Sequence, residues 1–397
     1  MSQVSEHLAL VLGGGGARAA YQAGFLRRLV KEIPGLRFPI ITGVSAGSIN
    51  AAFLANWPHS MEVGVERLME LWRSITPNQI FYSNPFALAA NVCRWGLRLV
   101  SGGAHLPVPP RGLVDTEPLR KFLRGALDAP DGTLRGIAEN IRLGRLRAAA
   151  VTTTNYLRGQ SVTWTQGDNL EMWERPLRHG ALTTLNVEHV MGSCALPLFF
   201  PAIQIGDGWH GDGGVRLMAP LSPALHLGAS RIFTISTRYL KSFSEAGRIL
   251  TPGYPPPATV IGALLNAVFL DALDHDALTM QRISQLVTQL PEKQRLGLQP
   301  VELLVVRPSQ DLEALAADYE HTLPRAFRYM VRGLGTRDTP RTGLLATILF
   351  APEYVQRVME VGEEDAARRI EEVVKFLMPG ASVKEAKTAE TSKPTSD

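Results

Sequence analysis

Three glycine-rich motifs of this sequence contain residue types that can carry out nucleophilic catalysis. Residues 43–47 read GVSAG around Ser45, residues 13–18 read GGGGAR, and residues 211–214 read GDGG around Asp212. A serine hydroxyl attacks an ester when a nearby base accepts its proton, and a desolvated carboxylate is basic enough to do so. The peptide N–H groups of a glycine loop can stabilise the oxyanion that forms. Together the motifs contain the parts for acyl transfer.

The position of Ser45 is more informative than the GxSxG pattern, because 36 glycines in 397 residues make chance matches common. Residues 38–44 predict a strand that ends at Ser45, and residues 48–56 predict an apolar helix. A sharp turn from strand to helix needs small flanking residues, here Gly43 and Gly47, and exposes the serine Oγ at the edge of the sheet. A serine that only caps the helix is the alternative interpretation.

The elements around these motifs predict a mostly parallel sheet. Residues 8–12 predict a buried strand and residues 19–33 an amphipathic helix that leads to the strand at 38–44. This order is typical of a right-handed βαβ unit, which brings the glycine loop and Ser45 to the same carboxyl edge of the sheet. Further strands are predicted at 146–155, 161–165, 231–237 and 301–306, and helices at 114–127 and 363–378.

A glycine-rich loop after the first strand is also typical of dinucleotide-binding proteins. Their fingerprint needs a third glycine, and the register that starts at Gly14 places Ala19 there. An acidic residue should end the second strand, but residues 42–45 contain none. The sequence therefore disfavours a nicotinamide or flavin protein, and we expect no organic cofactor.

Composition limits the other classes of function. Cys93 and Cys194 stand far apart, which argues against a disulfide framework and a metal site and favours a reducing compartment. The net charge of +4 is too small to favour nucleic-acid binding, although residues 85–150 hold ten Lys/Arg and five Asp/Glu, a balance of +5. The apolar run at 258–270 is too short to span a bilayer. We expect a cytoplasmic protein, with peripheral contact at the inner membrane face as an alternative.

The joint order of the three motifs resembles the patatin-like phospholipases. The resemblance extends over roughly residues 8–240 and includes the stretches 112–116, 153–164, 193–201 and 219–229. It implies a three-layer α/β/α fold with a mostly parallel central sheet for residues 1–240. We expect a mainly helical C-terminal extension at 241–380 that packs on this domain. The polar residues 381–397 predict a disordered tail.

The resemblance also assigns roles to single residues. It makes Ser45 the nucleophile and Asp212 its partner, in a dyad that uses no histidine. The expected oxyanion donors are the N–H groups of Gly14, Gly15 and Gly16, and the supporting residues are Arg18, Gly43, Gly47, Gly213 and Gly214. Arg18 occupies the basic position of the family motif, where it either holds the loop or binds a phosphate. The family usually has glycine after this residue, whereas this chain has Ala19.

The expected activity is that of a serine lipid acyl hydrolase of the phospholipase A or lysophospholipase kind. It would cleave the carboxylic esters of phospholipids or other glycerolipids through an acyl-serine intermediate, without metal or cofactor. An acyltransferase would use the same dyad, and a non-catalytic lipid-binding module is the third alternative. The oligomeric state is open.

Histidine remains an alternative base. An α/β-hydrolase order would place it after Asp212, at His226, His275 or His321, but none of these has a recognisable catalytic context. A structural role is favoured for His210, two residues before Asp212.

Two apolar segments are candidates for lipid contact. Residues 81–99 predict either a lid over the site or a core helix. Residues 343–351 are interpreted as a core element.

Overall fold

One ten-stranded sheet runs through the residues that this computed structural model describes, which are 6–82, 85–102, 111–246, 253–336 and 343–380. The strands are β1 Leu8–Leu12, β2 Ile40–Val44, β3 Ala148–Asn155, β4 Gln160–Gly167, β5 Glu174–Arg175, β6 Arg178–Leu182, β7 Ile203–Ile205, β8 Gly208–Asp212, β9 Arg231–Ile235 and β10 Glu302–Val306. Their order is β10-β9-β1-β2-β3-β4-β6-β5, and all neighbours from β10 to β3 are parallel. The predicted mostly parallel central sheet is confirmed.

Helices cover both faces of the sheet. Successive residues of β1 point to opposite faces and so enter different cores. Leu8, Leu10 and Leu12 enter one core, and Ala9 and Val11 enter the other. The described helices are α1 Ala20–Glu32, α2 Ala46–Asn56, α3 Met61–Ser74, α4 Pro77–Ile80, α5 Pro85–Val100, α6 Glu117–Ala126, α7 Arg135–Arg142, α8 Val187–Ser193, α9 Ser222–His226, α10 Phe243–Ala246, α11 Pro257–Asn266, α12 Ala272–Gln289, α13 Leu312–Asp318, α14 Arg325–Gly333, α15 Gly343–Ile348, α16 Pro352–Arg368 and α17 Ile370–Leu377. Helices α1, α2 and α16 pack in the first core, α9 and α12 in the second. This confirms the three-layer fold.

The register of β3 brings Ser45 and Asp212 to neighbouring positions. Strand β2 pairs with the first part of β3, and Val44 lies opposite Thr152. Strand β8 pairs with the end of β3, and Asp212 lies opposite Thr153. Strands β2 and β8 lie on the same side of β3, because β4 pairs with the other side along the whole of β3. The residue after Val44 and the last residue of β8 therefore meet at the carboxyl edge of the sheet.

Residues beyond 240 add to the sheet and to its core. Strand β10 lies parallel to β9 at the sheet edge. Helices α1 and α16 cross closely, since a Cβ at Gly24 would overlap the Met359 carbonyl and one at Gly362 the Tyr21 carbonyl. The predicted boundary at residue 240 between the catalytic domain and the C-terminal extension stays a prediction. The predicted tail at 381–397 lies outside the described residues.

Two predicted helix boundaries are wrong. Helix α2 begins at Ala46, directly after the nucleophile candidate, and not at Ser48. The predicted helix at 363–378 starts at acidic residues, but residues 363–365 lie inside α16, which begins at Pro352. Glu363 makes a tertiary contact, because it pairs with Arg27 of α1.

Helices α11 and α12 join through a π-helical turn, Ala267–Asp271, into one long helix, Pro257–Gln289. Its most apolar window has a mean hydropathy of 1.4 but is only 22% buried. Among the described residues, this is the one helix whose length and composition would allow it to cross a membrane. It packs on the sheet through Leu273, Ala277 and Met280. The sequence-based expectation of no membrane span stays a prediction.

Candidate active site

Ser45 occupies a strained turn between β2 and α2. Its φ of 53° and ψ of −137° are rare for a residue other than glycine and cost about 1–3 kcal/mol. Gly47 lies so close to β1 that a Cβ there would overlap the Leu12 carbonyl, and Gly43 packs against Ala51 of α2. These contacts give the predicted supporting glycines a steric reason. The geometry is that of a nucleophile elbow.

Three consecutive residues that begin with the last residue of α8 hold the backbones of Ser45 and Asp212. The Ser45 N–H donates to Ser193 Oγ at 2.9 Å. The Cys194 thiol donates to the Ser45 carbonyl at 3.1 Å, and the Asp212 N–H donates to the Ala195 carbonyl at 3.0 Å. In the sequence, this segment stands out only through the family resemblance. Its hydrogen bonds fix the nucleophile candidate and the base candidate relative to each other.

Asp212 is fully buried and carries a carboxylate that can act as a base. The Gly214 N–H donates to Oδ1 at 2.9 Å, whereas Oδ2 is buried and has no hydrogen-bond partner among the described residues. Burial raises the pKa of Asp212 to about 7, although the nearby Ser45 hydroxyl and the Gly214 amide act to lower it. Near neutral pH this carboxylate can therefore accept a proton.

The glycine loop lies over Ser45. A Cβ at Gly14 would stand 2.9 Å from the Ser45 Cβ and 3.5 Å from its Oγ, so any side chain there would crowd the Ser45 hydroxyl. Gly15 and Gly16 have φ values of 146° and 60°, which glycine adopts without strain. The fold thus brings the three predicted oxyanion donors to Ser45, and their catalytic role stays a prediction.

Arg18 is only 2% exposed and makes contacts within the protein. Its guanidinium donates to the Gly15 carbonyl at 3.0 Å, to Glu313 at 3.0 Å and to Thr347 Oγ1 at 3.1 Å. A buried and paired guanidinium is not accessible to a phosphate. Of the two roles considered for Arg18, the contacts support the one in which it holds the loop.

An apolar cavity of about 40 Å³ adjoins Ser45 and Asp212. Its apolar walls are Ala46, Ile49, Ile80, Leu119, Leu196, Phe200, Ile348 and Phe350. Residues 343–351 are buried, in line with the core interpretation, but Ile348 and Phe350 also line the site. This second role was not predicted from the sequence, where the uncharged run was the available signal. A larger cavity of about 520 Å³ lies between α5 and α6, and neither Ser45 nor Asp212 lines it.

The predicted lid segment at 81–99 is divided between the core and the surface. Phe81 is buried, with its ring 6.4 Å from that of Phe200. In contrast, Val92 and Leu97 of α5 are exposed. The lid function stays a prediction.

No described histidine lines the cavity beside Ser45. His210 lies 2.9 Å from Thr153 Oγ1 and packs near Trp164, and burial lowers its pKa. His226 stacks on Trp173, and burial lowers its pKa to about 4. These contacts favour structural roles, and they leave Asp212 as the base candidate within the described ranges.

Metal binding finds no support in the described part of the chain. No three of its His, Cys, Asp and Glu side chains form a group that could hold a metal ion. The predicted lack of a metal or cofactor stays a prediction.

The sequence matches one family model and, at low identity, several solved structures. Residues 10–225 match the model of the patatin-like phospholipases, whereas no curated protein matches. VipD from Legionella pneumophila is 12% identical over 92% of this chain and 66% of its own, with a TM-score of 0.38. Human GIVD cytosolic phospholipase A2, solved with methyl gamma-linolenyl fluorophosphonate, is 13% identical over 96% of this chain and 60% of its own, with a TM-score of 0.47. The chain thus spans less than two thirds of the length of either protein.

Proposed function

The chain belongs to the patatin-like phospholipase family, and from this premise we propose that it hydrolyses the carboxylic esters of glycerolipids with Ser45 as nucleophile and Asp212 as base. One observation carries the proposal. The buried Asp212 carboxylate has an unpaired Oδ2 among the described residues, and it adjoins a strained serine under a glycine loop. The small cavity beside them has apolar walls, which are the kind of surface that contacts an acyl group.

In the proposed reaction, Ser45 Oγ forms a bond to the ester carbonyl carbon while Asp212 Oδ2 accepts its proton. Negative charge moves to the carbonyl oxygen, where the N–H groups of Gly14, Gly15 and Gly16 stabilise it. The bond to the alcohol then breaks, and the alcohol leaves with the proton from Asp212. Water then attacks the acyl-serine and gives a proton to Asp212. The bond from Ser45 Oγ to the acyl carbon breaks, Ser45 Oγ takes the proton back from Asp212, and the fatty acid leaves.

A long-chain fluorophosphonate tests the nucleophile without a guess about the lipid. Ser45 Oγ should bond to phosphorus as fluoride leaves, and peptide mass spectrometry should locate the adduct at Ser45. Phospholipid vesicles should yield free fatty acid as well. Transfer of the acyl group to an added alcohol in place of water would identify the acyltransferase alternative. Failure to label Ser45 would leave only a lipid-binding module.

The pH dependence should report the ionisation of Asp212. Because its pKa is raised to about 7 and only the ionised form accepts the Ser45 proton, kcat/KM on a soluble ester should rise with pH through about 7. A histidine base would give a similar midpoint. Repeating the profile at several temperatures separates the two, since the pKa of a carboxylic acid changes little with temperature and that of an imidazole changes strongly. A strongly temperature-dependent midpoint would contradict Asp212 as the base.

We also propose that α11 contacts the lipid surface beside the site. Asn266 of α11 lies 3.4 Å from Arg18, and Phe269, just beyond α11, packs against Gly214. Residues 257–270 carry no charge, and Val260 and Leu264 are exposed. Burying such side chains in lipid would stabilise the bound state by roughly 1.5–3 kcal/mol each.

The basic stretch at 85–150 gives less support to a membrane surface. Several of its arginines are neutralised by acidic neighbours, as in the pairs Arg120–Glu188, Arg135–Asp131 and Arg142–Glu139. A paired arginine attracts anionic lipid less than a free one. We therefore place the proposed contact at α11.

Leu264→Glu should weaken binding to phospholipid vesicles by at least about tenfold, because a carboxylate replaces an apolar group at the lipid surface. Vesicle sedimentation measures the binding, and hydrolysis of a soluble ester should stay within about twofold of wild type. Leu296→Glu is the matched control. Leu296 is 92% exposed, and it precedes β10, at the edge of the sheet opposite to the carboxyl edge where Ser45 lies. Equal effects of the two substitutions would rule out α11 as the contact.

A further inference from the structure

The carbonyl groups of Gly13, Gly14 and Gly15 in the glycine loop each accept a hydrogen bond from a buried side chain. The three donor pairs are Gln22 Nε2 to the Gly13 carbonyl at 2.9 Å, Thr237 Oγ1 to the Gly14 carbonyl at 2.7 Å, and Arg18 Nε to the Gly15 carbonyl at 3.0 Å. All three donor residues are at most 2% exposed. The loop therefore has its peptide planes fixed from the side of the carbonyls.

Fixing a carbonyl fixes the N–H of the following residue. In a trans peptide these two groups point in opposite directions within one plane, and the described chain has no cis peptide bond. The three side chains thus orient the N–H groups of Gly14, Gly15 and Gly16. No oxygen of the described residues accepts a hydrogen bond from these N–H groups, so they remain available to a substrate.

Arg18 connects this loop to distant parts of the chain. Its guanidinium donates to Glu313, 295 positions away, and to Thr347, 329 positions away. Asn266 Nδ2 donates to the same Glu313 oxygen at 2.6 Å and so fixes the carboxylate. The orientation of the Gly15 carbonyl, and with it the Gly16 N–H, thereby depends on residues beyond 240.

We propose that Thr237 and the Arg18–Glu313 ion pair are positioning residues that hold the loop N–H groups on the oxyanion. The inference rests on the proposed function, because it needs an oxyanion to form at Ser45. Neither residue touches the substrate; each acts through a peptide plane. Losing one oxyanion donor typically lowers kcat by about 10²–10³-fold, so a loosely held donor should lower it by about 10–10²-fold.

Thr237→Val removes the donor to the Gly14 carbonyl and keeps the shape of the side chain. On a soluble ester we expect kcat to fall by about 10–10²-fold with KM within about twofold, because the donors act on the transition state more than on the bound ester. Thr237→Ser keeps a hydroxyl and should restore kcat to within about threefold of wild type. The midpoint of the pH profile near 7 should not move in either variant.

Glu313→Ala tests the long-range part, with Glu313→Gln as the conservative variant. The alanine variant should lower kcat by about tenfold, and glutamine, whose oxygen still accepts from Arg18, should restore part of it. Glu320→Ala is the matched control, because the Glu320 side chain is about as buried as that of Glu313 and pairs with Arg332 outside this network. It should lower the melting temperature and leave kcat unchanged.

The rate of fluorophosphonate labelling gives a readout that does not depend on the lipid. Slower labelling of Thr237→Val and Glu313→Ala, with normal labelling of Glu320→Ala, supports the inference. If wild type labels at Ser45 and the variants keep both their kcat and their labelling rate, the inference about Thr237 and Glu313 is overturned. The proposed function would then stand. A wild-type protein that does not label at Ser45 overturns both.

Discussion

Replacement of Ser45 by alanine is expected to lower kcat on phospholipid vesicles by roughly 10⁴–10⁶-fold, because no other group can form the acyl intermediate. The protein should remain folded, since Ser45 is held through its backbone N–H and carbonyl, which alanine keeps. Fatty-acid release measures the activity, and fluorophosphonate labelling should disappear in parallel. Retention of a tenth of the activity or more would show that Ser45 is not the nucleophile.

Two further substitutions sharpen this result. Ser222→Ala removes a serine outside the cavity at the start of α9 and should leave activity unchanged. Ser45→Gly should abolish activity as alanine does, but it should be more stable than Ser45→Ala by about 1 kcal/mol, because glycine accepts a φ of 53° with less strain. Equal unfolding free energies for the two would mean that the turn stores no strain.

Replacement of Asp212 by asparagine is expected to have two opposite effects. It should lower kcat by roughly 10³-fold or more, because an amide does not accept the Ser45 proton. It should also raise the melting temperature above that of wild type at pH 8. Burial raises the folded-state pKa of Asp212 from 3.8 to about 7, so the folded protein binds a proton more tightly than the unfolded one.

The sign of the pH effect follows from this shift. The contribution of Asp212 to stability is present in full below pH 3.8 and is lost as the pH rises through about 7. Asparagine does not titrate, so the advantage of Asp212→Asn should be larger at pH 8 than at pH 5.5. The control is Asp207→Asn, at an exposed position in the same β7–β8 hairpin. It should leave the activity unchanged, and its effect on the melting temperature should be the same at pH 8 and at pH 5.5. If Asp212→Asn raised the melting temperature by the same amount at the two pH values, this would contradict a buried, ionisable Asp212.

The parts of the site that follow from local patterns were predictable. Strand β1 has the predicted bounds, because a run of buried apolar residues ended by glycines is a contiguous signal. The turn at Ser45 lay where the strand pattern stopped, although the first residues of α2 were missed, since Ala46 and Gly47 do not resemble a helix start. Asp212 needed the family resemblance, because GDGG by itself fits a hairpin turn as well.

The sequence by itself determined the family and the layered fold and supplied the residues of the proposed dyad, because strand and helix periodicity and the glycine motifs are encoded within short stretches. Only the tertiary structure decided what surrounds them. The register of β3 places Asp212 beside Ser45, and residues about 300 positions downstream of Arg18 fix the glycine loop. The physical reason is that register and buried polar partners are set by packing between distant segments, where each buried charge must find its partner.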